Sequence, residues 1–206
     1  MKSLFAALAA LSLSACTMLS AEAPIFSAAD HAAEFAPPEG LWVIRDSSDC
    51  RVNPARSRPE RDTCLDWYRV RRAEDGTWRV TALSNDDPEE MRVVVMAAAP
   101  KRPDEPLASL YVGEFSNAKN ADISYFALVP RGGAERPLSR LGAAGIECFV
   151  VHGEWGEIPG IVVRREDDKV VGCTATAKDG LREAARRAAV AALPGLPEQE
   201  LVFVRR

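Results

Sequence analysis

Beyond its first fifteen positions the chain has no apolar run that approaches the roughly 20 residues a spanning helix needs. A helix-threaded membrane protein is therefore not expected. Basic charge is not in excess either: 26 Lys and Arg stand against 30 Asp and Glu, a net of −4. That balance argues against a general nucleic-acid binder, and no nucleic-acid partner is expected. Histidine is scarce. Neither His31 nor His152 completes a metal-ligand spacing with the cysteines, and no two cysteines have Cys-x-x-Cys spacing, so no metal site is assigned. The chain also lacks a Gly-x-Ser-x-Gly nucleophile elbow, a Gly-rich phosphate loop and any clear internal repeat. No catalytic residue and no cofactor are assigned.

What the chain does have begins at its first residues. Lys2 precedes a continuous apolar run over 4–11, and Ser12, Leu13, Ser14 and Ala15 lead to Cys16. A charged start, about ten apolar residues and small residues before a cysteine describe an export signal. Leu13-Ser14-Ala15-Cys16 resembles the lipobox of bacterial lipoproteins. That resemblance implies diacylglyceryl transfer to the Cys16 thiol, cleavage before Cys16, and a lipid anchor in the envelope. An ordinary secretory signal cut at a nearby Ala-x-Ala-like site is the alternative. Thr17 follows the cysteine, where the enterobacterial inner-membrane retention signal is Asp, so the resemblance points to the periplasmic face of the outer membrane. Removing residues 1–15 takes away one Lys and no acid, which leaves 25 − 30 = −5.

Four cysteines follow the lipobox: Cys50, Cys64, Cys148 and Cys173. An even number in an exported chain reads as two disulfides, with three possible pairings. The local pairing, Cys50–Cys64 with Cys148–Cys173, is the one adopted, and each bridge would contribute about 3 to 3.5 kcal/mol by the loop-entropy relation.

The chain divides into a signal peptide (1–15), a lipidated tether (16–38) and one disulfide-braced domain (39–206). The tether is rich in Ala, Ser and Pro and would reach ~70 Å if extended. Within it, Ser27 and Asp30 are spaced as at a helix start, with Phe26 and Phe35 placed to pack at either end. Strands are expected over 40–44, 65–70, 77–83, 91–97, 107–115 and 123–129, separated by turn-forming stretches such as Ala73-Glu74-Asp75-Gly76. Alternation in 78–82 gives a sheet with one wet face, whereas Val93-Val94-Val95-Met96 is apolar on both faces and should lie centrally. Beyond them a short helix is expected over 137–144, a strand over 147–151, and a hairpin of 161–164 with 169–173. A helix over 179–193 presents Leu181, Ala184, Ala185, Ala188 and Ala192 as one stripe and pairs Glu183 with Arg187. A last strand covers 200–204. The fold class is α+β, mainly β: an antiparallel meander or barrel-like sheet with a C-terminal helix followed by a short final strand.

The order meander, helix, strand, together with Gly40-Leu41-Trp42 on the first strand, resembles lipocalin and calycin-type barrels. The resemblance implies that Trp42 plugs a barrel floor and that an apolar interior holds a small ligand. Gly76-Thr77-Trp78 supplies a second Gly-x-Trp, and the helix expected near Pro137 departs from the family's plan.

Two further constellations carry possible chemistry. His152, near Glu154, Glu157 and Cys148, is the densest group of reactive types; a hydrolase would use His152 as base and Cys148 as nucleophile. A polar loop after a strand, with Cys148 in a disulfide, is the alternative. Arg51, Arg56, Arg58 and Arg61 crowd the loop between Cys50 and Cys64, where guanidinium groups suit carboxylates or phosphates; Arg71, Arg72 and Arg79 would extend that patch. Trp42, Trp67, Trp78 and Trp155 read as core anchors. The sequence thus leads to a membrane-tethered, non-enzymatic binding or interaction domain of the bacterial envelope. Its partners are the membrane, through Cys16, and an envelope protein, glycan or small ligand. A carrier of a small apolar ligand is the second reading and an envelope hydrolase the third.

Overall fold

A computed structural model describes residues 18–45, 65–83, 90–97, 110–117, 123–131, 138–148, 157–167, 169–192 and 200–205. Eight strands close an antiparallel barrel: β1 (Gly40–Arg45), β2 (Leu65–Arg72), β3 (Trp78–Ala82), β4 (Glu90–Ala97), β5 (Tyr111–Asn117), β6 (Ile123–Pro130), β7 (Arg140–Gly145) and β10 (Glu200–Arg205). Neighbours in sequence are neighbours in space around the barrel, and β10 closes it by pairing with both β7 and β1. Between β7 and β10 the described residues make a separate hairpin, β8 (Ile161–Glu166) and β9 (Lys169–Ala175), and then an α-helix, α1 (Lys178–Ala192). The mainly β class with a helix before a final strand is the one the sequence indicates. The final strand, however, is a stave of the barrel.

One expected element is corrected. Residues 137–144, read as a short helix, contain β7, which pairs with β6 from Phe126↔Gly145 to Pro130↔Leu141. Gly142, Ala143, Ala144 and Gly145 carry little side chain, so their period-2 alternation leaves no apolar signature. Small residues here read as helix formers, whereas the gap between β6 and β10 demands a strand. Of the strand expected over 147–151, Glu147 bridges Met18, and residues 149–151 lie outside the described residues.

The register defines two ends. At one, here the floor, lie the start of β1, the end of β2 and the start of β3, joined by the turn Ala73-Glu74-Asp75-Gly76. Gly76 has φ +82° there, and Asp75 Oδ1 accepts the Thr77 N–H at 3.0 Å. At the other end, the rim, stand Arg45 opposite Leu65 and Met91 opposite Asn117. Residues of even number on β1 and β2 point inward and those of odd number outward, as the period of a strand requires.

The outer wall is not left to solvent. On β4, Val93 and Val95 face the interior while Val94 and Met96 face out, and all four are buried. The cover is α1 with a segment of chain preceding β1. Leu181, Ala184, Ala185, Ala188 and Ala189 pack on Val94, Val112, Tyr125 and Ala127. Gly180 permits close approach, because a Cβ there would lie 2.6 Å from the Pro159 carbonyl oxygen. The i,i+4 pair forms as expected, with Arg187 Nε donating to Glu183 Oε1 at 3.0 Å. Arg186 donates to the same carboxylate, and both arginines are buried against the fold instead of standing in solvent.

Residues 18–38, expected as part of the tether, are an ordered strap laid diagonally over this wall. Leu19 N–H donates to the Ile146 carbonyl at 2.7 Å near the rim. Ile25 and Phe26 reach β5, and Ala32 N–H donates to Val95 O at 2.7 Å near the floor. Ser27 and Asp30 form a capping box around one 3-10 turn, Ala28–Asp30. Phe26 and Phe35 are both buried, as their flanking positions suggested.

Candidate functional site: an apolar cavity inside the barrel

The inward-facing side chains do not fill the barrel. A cavity of about 310 Å³ remains inside it, within the range of small-molecule sites. An eight-stranded barrel has an interior just wide enough to be packed solid or to hold one small ligand, and side-chain size decides which. Here Ala143 occupies an inward position on β7 where a larger residue would close the space, whereas the room over Gly113 on β5 is taken by Leu128 and Phe115.

The floor is aromatic and closed. Trp42 is 1% exposed, packs edge-on against Phe203 and donates Nε1–H to the Pro38 carbonyl at 3.0 Å. The Trp78 indole Nε1 lies 3.2 Å from His31 Nε2. Phe35, from the strap, packs edge-on against Tyr111 with ring centres 5.0 Å apart. Trp42 therefore lies at the barrel floor, where the lipocalin resemblance places it. Trp78, the second Gly-x-Trp, shares that floor. Both line the cavity as well as anchoring the core.

The walls are Val70, Val80, Val93, Leu128 and Leu141, and toward the rim Ile44, Met91, Phe126 and Leu201. Those four rim residues point inward yet remain partly exposed, whereas Trp42, Val95, Leu128 and Leu141 are buried. Solvent thus reaches the cavity from the rim. Phe115 and Phe126 stack edge-on there, 5.0 Å apart. The lining carries one ionisable acid, Asp66, which is exposed, together with the Tyr68 phenol and the Ser124 hydroxyl. An apolar tube with a few polar groups at one end suits a molecule that is mainly hydrocarbon with a polar end.

The positions singled out from sequence fare differently. Cys148 and Cys173 are bonded to each other, their Cα atoms 5.5 Å apart, as the adopted pairing has it. A sulfur so bonded is no nucleophile, which removes that partner from the hydrolase reading. Cys16, Cys50, Cys64, His152, Trp155 and the arginines Arg51, Arg56, Arg58 and Arg61 lie outside the described residues. Arg71 and Arg72 end β2 at the floor and Arg79 lies on β3, while the loop whose patch they would extend is outside the described residues. Arg72 lies over Trp78, 5.9 Å from the ring centre. Trp67 and Tyr68 face opposite ways as expected: Trp67 packs outward on Val43, and Tyr68 lines the cavity. Among the described residues no three His, Cys, Asp or Glu side chains cluster closely enough to hold a metal ion, and no helix is long and apolar enough to cross a membrane.

Two residues that matter carry no sequence signal. Glu114, on the outer face of β5, is fully buried beneath the strap. Its Oε2 accepts the N–H groups of Ile25 and Phe26 and the Tyr125 hydroxyl, at 2.8, 3.1 and 3.0 Å. Burial and the neighbouring Glu114 push the Tyr125 hydroxyl far above its usual range, so it remains a donor. His31 joins the strap to the floor: Val95 N lies 3.2 Å from its Nδ1 as Trp78 Nε1 does from its Nε2, and the neutral ring accepts one of the two N–H groups.

No protein family, curated protein sequence or solved structure matches the chain.

Proposed function

We propose that this chain is a lipid-anchored envelope protein whose barrel binds a small, mainly apolar ligand. The single observation that carries the ligand reading is the unfilled, rim-accessible cavity of about 310 Å³ with apolar walls. Of the functions the sequence leaves open, an interaction module calls for a filled core with an apolar or arginine-rich outer patch. Here the core is not filled, and among the described residues Val162 is the large hydrophobic side chain standing exposed. The carrier reading is therefore preferred. The anchor rests on the lipobox-like Leu13-Ser14-Ala15-Cys16, and the periplasmic face of the outer membrane on Thr17. The disulfide between Cys148 and Cys173 supports an oxidising compartment.

The test is saturable binding of a neutral apolar fluorophore, N-phenyl-1-naphthylamine, to the folded protein and to Ala143→Phe. A phenyl group at position 143 would occupy the void opposite Leu128. Saturable binding that weakens at least tenfold in Ala143→Phe, with the fold retained by circular dichroism, is the expected result. Binding indifferent to Ala143→Phe would place the probe elsewhere and end the carrier reading.

A further inference from the structure

We infer that the barrel is held with its rim toward the membrane, so that the cavity takes a lipid-soluble ligand directly from the bilayer. This rests on reading Cys16 as lipidated and the cavity as the ligand site.

The geometry that points there is the place at which the N-terminal chain joins the fold. Met18 bridges Glu147, two residues past the rim end of β7. Its side chain lies over Gly145, where an added Cβ would come 2.7 Å from Met18 Cε. Gly145 is in register with Leu141 and Ala143, whose side chains line the cavity, so Met18 stands at the lip of the same opening. Leu19 is fully buried and bonded to Ile146, and Ser20 is bonded on both sides of Thr174, to Cys173 and Ala175. The chain is fixed there.

Distance then decides the orientation. Cys16 precedes Met18 by two residues, which span at most about 7 Å. The floor lies roughly 15 Å from the rim, since the six steps from Met91 to Ala97 run about 20 Å along a strand tilted by roughly 40° to the barrel axis. A loose tether over 17–38 would let the barrel turn any side to the membrane. Because that segment is instead bonded to Ile146, Glu114 and Val95 from rim to floor, the slack is gone. Acyl chains on Cys16 therefore bring the rim to the surface and leave the floor away from it.

The chemistry of the opening suits that surface. Ile44, Met91, Phe126 and Leu201 are partly exposed at the rim, and an apolar ligand is far more concentrated in lipid than in water. A rim within a few ångströms of the bilayer shortens the aqueous path such a ligand must cross.

The experiment uses the full, processed protein in vesicles of three parts phosphatidylethanolamine to one part phosphatidylglycerol. An environment-sensitive fluorophore is attached at Ser116→Cys, near the rim, or at Glu74→Cys, in the exposed floor turn, and nitroxide-headgroup lipid is the quencher. Quenching at least threefold stronger at Ser116→Cys than at Glu74→Cys is expected. Equal quenching, or stronger quenching at Glu74→Cys, overturns the orientation. Mass spectrometry of Cys16 and N-phenyl-1-naphthylamine binding are measured on the same preparations. If acylation and cavity binding are present while the quenching order fails, the orientation alone falls; if acylation is absent, the anchor falls and the orientation with it. A second variant inserts twelve Gly and Ser residues between Thr17 and Met18, adding about 20 Å of flexible reach. It should transfer the fluorophore from vesicles to protein at least fivefold more slowly with its solution affinity unchanged. An unchanged transfer rate counts against direct uptake.

Discussion

Glu114 Oε2 accepts the main-chain N–H of Ile25 at 2.8 Å, joining a side chain of the barrel wall to a residue 89 positions earlier in the chain. The same oxygen takes the Phe26 N–H and the Tyr125 hydroxyl, and these two bonds are buried while that to Ile25 is partly so. Removing the acceptor strands the Phe26 N–H and the Tyr125 hydroxyl in a place water does not reach. Each buried polar group so stranded costs about 1 to 3 kcal/mol. Glu114→Ala is therefore expected to lose about 3 kcal/mol or more in urea unfolding. Glu114→Gln keeps an acceptor oxygen and should lose less than half as much. Equal losses would mean that the oxygen is not what holds the strap.

His31 makes the strap sensitive to pH. Trp78 Nε1–H and Val95 N–H approach its two ring nitrogens, each at 3.2 Å. A neutral imidazole has one lone pair to offer and an imidazolium none, so protonation releases whichever donor was bound. Burial, and next the Arg72 guanidinium, lower the His31 pKa below its ordinary 6.5, against the opposing pull of Glu34 and Asp75. In the unfolded chain the ring takes its proton near 6.5; in the folded protein it does so at lower pH. The unfolded state thus binds more protons in that interval. The stability associated with neutral His31 is whole above about 6.5 and declines as pH falls toward the folded pKa. Subtracting the unfolding free energy of His31→Gln from that of the parent should leave a slope no steeper than about 1.4 kcal/mol per pH unit, confined below 6.5. A flat difference would show that the ring does not titrate with folding.

The disulfide acts on a different part of the molecule. Cys148 follows β7 and Cys173 lies on β9, 25 residues later, so the bond ties the hairpin to the barrel. Its loop length corresponds to about 3.5 kcal/mol in the chain-entropy relation. The Cys173 carbonyl accepts the Ser20 N–H at 3.3 Å, so the start of the strap depends on the same anchorage. Replacing Cys148 and Cys173 together by Ala should speed amide exchange at Val163, Val170 and Leu19 well before it affects Val94 on β4. Uniform acceleration across Val94 and Val163 would mean that hairpin and barrel unfold as one unit.

Much of the barrel is legible in the sequence because its strands carry their own signals. Val93-Val94-Val95-Met96 announces a strand buried on both faces, and the Ala73–Gly76 turn chemistry announces the β2–β3 hairpin. The helix is equally plain from its stripe of Leu181 and alanines. β7 is not, since Gly142, Ala143 and Ala144 have too little side chain to show which face is buried, and only the strands on either side fix their state. The strap is hidden for the opposite reason. Its sequence is Ala- and Ser-rich and reads as linker, and its partners, Glu114 and Val95, lie far along the chain. Glu114 itself reads as a wet position on an antiparallel strand; only the tertiary cover makes it a buried acceptor. Gly40-Leu41-Trp42 hints at an apolar barrel interior, but the cavity's existence depends on volumes that a sequence does not sum.

The floor is where strap and cavity meet, and Phe35 is the residue to remove there. Its ring is 3% exposed, lies against Tyr111 and forms part of the cavity surface, although it belongs to no strand of the barrel. Truncation to Ala deletes a large buried ring, for which about 3 to 5 kcal/mol is usual when the surroundings do not collapse. The same lack of collapse would lengthen the cavity at its closed end. Stability and ligand size should therefore change together: Phe35→Ala unfolds at lower urea concentration while its preference within a series of alkyl-chain probes moves toward longer chains. Trp42→Phe, which removes the bond to Pro38 but keeps an aromatic ring beside Phe203, should destabilise without lengthening the preferred probe. If neither variant changes chain-length preference, the ligand does not reach the floor, and the cavity's working volume is confined to the half nearer the rim.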